Sequence, residues 1–112
     1  MKYRQRFTFA VAVLAALAAV SVAGPSRAQE SALISGHDFA ERYCAGCHAI
    51  GTTGASPLPD APPFRTLHQR YPVDNLAEAL AEGIITGHPE MPRFAVDPRQ
   101  IDAFIAYLRS LD

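Results

Sequence analysis

The chain reads as an all-α protein of three to four helices, and three observations carry that reading. Its most regular stretch, Pro98 to Leu111, sets Ile101, Phe104, Ile105, Leu108 and Leu111 at helical spacing. Residues 76–82, Leu-Ala-Glu-Ala-Leu-Ala-Glu, are dense in helix formers. No segment alternates apolar and polar residues long enough to argue for a sheet.

In chain order, the first element is not part of the fold. Lys2, Arg4 and Arg6 precede an apolar run from Phe7 to Ala23, followed by Gly24-Pro25-Ser26-Arg27-Ala28. That order is the order of a secretory signal peptide, and the small residues Ser26 and Ala28 place cleavage after Ala28. The alternative, a retained membrane anchor, fits less well. The run is about 17 residues, rich in alanine and followed by helix breakers, whereas a span needs about 20 strongly apolar residues. Residues 1–28 are therefore expected to be removed, leaving 29–112 as one small domain with no stable membrane span.

Without the leader the chain has no lysine, and its six arginines face eleven acids, a net charge of −5. Such a surface excludes nucleic acid as a partner. It favours a basic or largely apolar docking face on a protein partner.

The first helix of the domain is expected to begin at Ser35, with Asp38 at its third position in a capping-box pattern. Gly36, Phe39, Ala40 and Tyr43 then recur at intervals of three and four, a face of small and aromatic residues suited to close helix contact. His37 is expected to be solvated. The helix runs into Cys44-Ala45-Gly46-Cys47-His48. Two thiols three positions apart sit about one helical turn from each other, so both sulfurs can reach one edge of a macrocycle. Thioethers to a haem's vinyl groups, with His48 ligating iron, are the chemistry this pattern suits, and the chain would carry one haem c. Half a zinc site would need thiols the chain does not have, and a redox disulfide has no use for the following histidine.

Between Gly51 and Pro63 stand Gly51, Gly54, Pro57, Pro59, Pro62 and Pro63, a density of breakers that no regular element survives. This loop either presents a carbonyl to the second ring N–H of His48 or is a plain surface connector. Phe64 to Tyr71 is expected to form a short helix with Phe64 and Leu67 inward and His68 outward. Asp74 is placed as the N-cap of the next helix, which Gly83 ends, with Leu76, Leu80 and Ile84 buried. Gly87, Pro89 and Pro92 then force a stiff irregular loop around Met91. Once Met1 has left with the leader, Met91 is the remaining thioether, and opposite His48 it would complete six coordination. His88 is a competing ligand, and a core filler is the plainer role for Met91. Asp97, Pro98 and Gln100 give the last helix a strong start, and Tyr107 on it can meet the helix of Gly36 and Phe39.

Order and spacing together resemble a class I monohaem cytochrome c of the bacterial, periplasmic kind, over essentially all of residues 29–112. The resemblance rests on Gly36 eight residues before Cys44, the proline-phenylalanine loop, Gly87-His88-Pro89-Glu90-Met91-Pro92, and Ile105-Ala106-Tyr107-Leu108. It implies the cytochrome c fold around one covalently bound haem, with crossing N- and C-terminal helices. It implies His48 as proximal and Met91 as distal ligand, and Pro62 as the residue whose carbonyl accepts the His48 N–H. Gly36 and Tyr107 match the small residue and the aromatic at the crossing of the terminal helices. The lysine ring of mitochondrial relatives is missing, so their mode of docking does not carry over.

These readings point to a monomeric periplasmic electron carrier exchanging with redox donor and acceptor proteins, and not to an enzyme. Two alternatives use the same residues: a haem c subunit of a periplasmic dehydrogenase or oxidase complex, and a gas-binding sensor in which Met91 is displaced. A domain of 84 residues is of a size at which a covalent or metal staple is usual. The variant with Cys44→Ala and Cys47→Ala together should therefore be largely unfolded, read as loss of helical far-UV circular dichroism.

Overall fold

The structure is a computed structural model that describes residues 21, 23–83, 89–93 and 95–112. The apolar run of the leader lies mostly outside these, as do Ile84, Gly87, His88 and Phe94. Among the described residues there are three α-helices, α1 (Arg27–Tyr43), α2 (Leu76–Glu82) and α3 (Pro98–Arg109), with two 3-10 helices, Phe64–Gln69 and Val73–Asn75, and no strand. The all-α expectation holds. None of the described helices is long and apolar enough to cross a membrane.

Helix α1 begins about two turns earlier than the Ser35 start expected above. Ser26 is its N-cap, and a reciprocal capping box outcompetes the one at Ser35. The Ser26 Oγ accepts from the Gln29 amide at 3.3 Å while Gln29 Oε1 accepts from the Ser26 amide at 2.9 Å. Residues 29–33, which are mostly good helix formers, carry the helix forward, so Ser35 and Asp38 stand exposed inside it. Gly36, Phe39 and Ala40 form its buried face.

That face meets α3, which is the best specified element. Asp97 caps it by accepting from the Arg99 amide at 2.9 Å, and Pro98 takes the first position, where its missing N–H is no loss. Ile101, Phe104, Ile105, Tyr107 and Leu108 are buried and Leu111 packs against the core from its edge. The expected stripe holds through Leu108 and is joined by Tyr107, while α3 ends at Arg109 and leaves Leu111 in the turn that follows rather than on a helix reaching the C-terminus. The two helices touch most closely at Gly36, where a Cβ would run into the Ala103 carbonyl and stand 2.6 Å from the Tyr107 Cβ.

The middle of the chain covers this pair. Phe64 and Leu67 turn inward from the first 3-10 helix, while His68 stays exposed and its Nδ1 meets Asp112 Oδ1 at 3.2 Å. Asp74 does not cap α2. It lies inside the 3-10 turn that leads into that helix, where its carboxylate pairs with Arg109 of α3. Leu80 is buried and Leu76 half-buried, and Gly83 ends α2 with a φ of 89°, a conformation that favours glycine. The Val96 amide then donates to the Leu80 carbonyl at 3.1 Å, which closes the connection to α3 at its base.

Gly36→Ala must push the two helices apart, because backbone and a Cβ rather than a flexible side-chain tip oppose the new methyl. A loss of about 1–3 kcal/mol is expected in denaturant unfolding of the holoprotein, in the range of overpacked cores.

Candidate haem-attachment site

The segment that holds the two thiols is shaped by the end of α1. The amides of Cys44 and Ala45 both donate to the Ala40 carbonyl, at 2.9 and 3.0 Å. The amides of Cys47 and His48 both donate to the Cys44 carbonyl, at 3.1 and 2.9 Å. The five residues thus continue as one tight turn, which keeps both thiols close together on one stretch of backbone. Both cysteines are unpaired and half-buried.

Burial pushes the Cys44 thiol up to about 11, and the neighbouring Cys47 adds to the rise. Zinc ligation and disulfide exchange both use the thiolate, and motifs built for them depress the thiol pKa. A protonated, half-buried thiol favours neither.

His48 is held by its ring. Its Nδ1 lies 2.8 Å from the Pro62 carbonyl oxygen. A carbonyl can only accept, so Nδ1 carries the proton and Nε2 carries the lone pair. Among the described residues Nε2 has no hydrogen-bond partner. The proline-rich loop therefore does present a carbonyl to the imidazole, and the residue that does so is Pro62. Phe64 packs on the same ring with centroids 5.0 Å apart. Phe64 in turn touches Phe104 at 5.6 Å, Phe104 touches Phe39 at 5.1 Å, and Phe39 touches Tyr43 at 5.0 Å. A continuous line of aromatic rings thus links the two long helices to the imidazole.

The loop itself is tied down by hydrogen bonds that no local pattern in the sequence marks. Ser56 Oγ accepts from the Ala49 amide at 3.0 Å, the Phe64 amide donates to the Ala49 carbonyl at 2.9 Å, and the Leu58 amide donates to the Cys47 carbonyl at 3.0 Å. Tyr107 reaches across to the Ile50 carbonyl, its hydroxyl donating at 2.8 Å. The breaker-rich composition announced the loop, but no local signal marked Ser56 as its tie.

Met91 lies half-buried in the bend that follows the turn at Pro89 and Glu90. Its expected competitor His88 lies outside the described residues. His37, Asp38 and Glu41 bring one donor atom each within 4.8 Å of the others at the surface of α1. The His37 ring also meets Tyr107 edge-on, with centroids 5.4 Å apart.

A tight turn bearing two thiols and an imidazole with one nitrogen occupied defines a class of protein, the small helical c-type haem proteins. The cytochrome c family model matches residues 34–112, and the chain belongs to that family. It is similar to cytochrome c-552 of Bradyrhizobium diazoefficiens, with 34% identity over 76 residues that cover 68% of this chain and 71% of the relative. No solved structure matches the chain. Family membership brings with it one covalently bound haem c and electron transport as the general activity. The donor set described above fits that group: two thiols for the bonds to its edge, and an imidazole whose Nε2 lone pair is available to iron.

Proposed function

We propose that this protein is a periplasmic one-electron carrier in which Cys44 and Cys47 hold the haem by thioethers, His48 is the proximal ligand and Met91 the distal one. The observation that carries the reading is the hydrogen bond from His48 Nδ1 to the Pro62 carbonyl. It fixes the tautomer and direction of the ring, and makes Nε2 the better donor to a metal. The bound haem supplies a reversible one-electron change at its iron. The chain's own groups do the rest. Phe64 buttresses the imidazole, the turn at residues 44–48 sets the two sulfurs, and the loop carrying Met91 brings a soft sulfur ligand, which raises the reduction potential. His48 and Met91 would together hold the iron and leave substrates and gases no open site on it, so the protein transfers electrons and is not itself an enzyme.

Partners in this reading are redox donor and acceptor proteins of the periplasm, and the protein acts as a monomer. With eleven acids against six arginines after leader removal, a basic or apolar partner face suits this surface. Export follows from the basic, apolar and small-residue order of residues 1–28. Helix α1 starts at Arg27, so cleavage after Ala28 leaves the helix beginning at Gln29 without its Ser26 cap.

Met91→Ala should abolish the sulfur-to-iron absorption band of the oxidised protein and lower the reduction potential. Absence of that band from the unmodified protein, or prompt carbon monoxide binding by its reduced form, contradicts the ligand pair. The N-terminal peptide of protein recovered from the periplasm should begin at Gln29, as read by mass spectrometry. A peptide that still contains Arg4 or Arg6 contradicts removal of the leader.

A further inference from the structure

Tyr107 is anchored in the helix crossing, yet its polar end reaches the segment that carries the imidazole. Its Cβ lies where α1 can approach only because residue 36 is glycine, and its ring takes the edge of His37. The residue is 8% exposed. Burial raises the phenol pKa above its ordinary value, so the hydroxyl stays protonated and remains a donor. It donates to the carbonyl of Ile50, 57 positions earlier in the chain and two residues beyond His48.

That carbonyl sits at a boundary. On its N-terminal side the chain is tied to the proline-rich loop by His48 Nδ1 to Pro62, and by Ala49 to Ser56 through its amide and to Phe64 through its carbonyl. On its C-terminal side come Gly51 to Gly54, a run of bends that exposes Thr52, Thr53 and Gly54, with Gly54 at a φ of 90°. A chain released at Ile50 can move from this end into Ala49, and Ala49 is bonded to the same loop that supplies the Pro62 carbonyl. The bond from Tyr107 connects this boundary to α3, a rigid element of the fold.

We propose that Tyr107 is a positioning residue for the His48 imidazole. Acting through the Ile50 carbonyl, its hydroxyl keeps the His48 ring aligned on Pro62 and so sets how strongly the ring donates to iron. The proposal rests on His48 as the proximal ligand. A well-made bond from Nδ1–H to a carbonyl raises the basicity of the opposite nitrogen and favours the oxidised metal. Loosening the alignment therefore shifts the reduction potential upward.

The test uses the holoprotein and Tyr107→Phe, which removes one oxygen and keeps the ring in the crossing. The control is Ile105→Val, which thins the same helix by one methylene and leaves the hydroxyl in place. Nuclear magnetic resonance of the unmodified oxidised protein first reads His48 ligation from its paramagnetically shifted ring signals. If those signals are missing, the ligand reading fails and this proposal fails with it. With them present, Tyr107→Phe is expected to speed amide hydrogen exchange at Ala49 and Phe64 by about tenfold relative to Ile105→Val, on the scale of one lost hydrogen bond. Its reduction potential should also rise. If Tyr107→Phe only lowers the melting temperature as Ile105→Val does, with potential and local exchange equal to the control's, the hydroxyl serves stability alone and the proposal is overturned.

Discussion

At Gly36 the backbone of α1 lies against the Ala103 carbonyl and the Cβ of Tyr107, and this approach sets where the remaining groups stand. With the helices this close, Phe39 and Phe104 meet at a tilt, Phe104 reaches Phe64, and Phe64 reaches the His48 ring. The same approach seats Tyr107 so that its hydroxyl arrives at Ile50. Interiors pack as densely as organic crystals and transmit small displacements rather than absorbing them. A shift at residue 36 is therefore felt at the imidazole by two routes, one of rings and one of hydrogen bonds.

Polar contacts at the surface add little to this. The Arg109–Asp74 pair is more than half exposed on both sides, and His68 meets Asp112 at the rim. Exposed pairs of this kind contribute from nothing to about 1 kcal/mol. The described core holds Leu108 and Ala40 with no exposure at all, but few other side chains are so completely enclosed. Haem c adds an apolar body to the core of a chain of this size, and the covalent bonds keep that body from being lost.

Much of this arrangement was legible in the residues, and the limits of legibility are physical. Helix α3 is readable from its start through Leu108 because cap, proline and stripe are all local and agree with one another, and only its last turn departs from the pattern. The attachment turn was equally plain, since its chemistry is written in five adjacent residues. The start of α1 is not legible locally, because Ser35–Asp38 and Ser26–Gln29 are both capping patterns, and which one acts depends on whether the chain between them gains by joining the helix. Asp74 reads locally as a cap, because the partner that holds it, Arg109, is 35 residues away. For the same reason no local pattern points from Tyr107 to Ile50. Pro62 lay between these cases: the loop was evident from composition, but its register on the imidazole depended on resemblance until the geometry placed it.

The bond between the Val96 amide and the Leu80 carbonyl draws together the two ends of residues 81–95, with Gly83 turning the chain just after α2. The described ends of the segment bearing Met91 are thus held together by this bond, and loop-closure cost grows only slowly with length. Insertions or deletions between these ends therefore cost little closure entropy while the helix pair keeps its register. The molecule is modular in this sense. One part is a fixed scaffold that grips the imidazole, and the other is a connection whose length that scaffold can tolerate in more than one form.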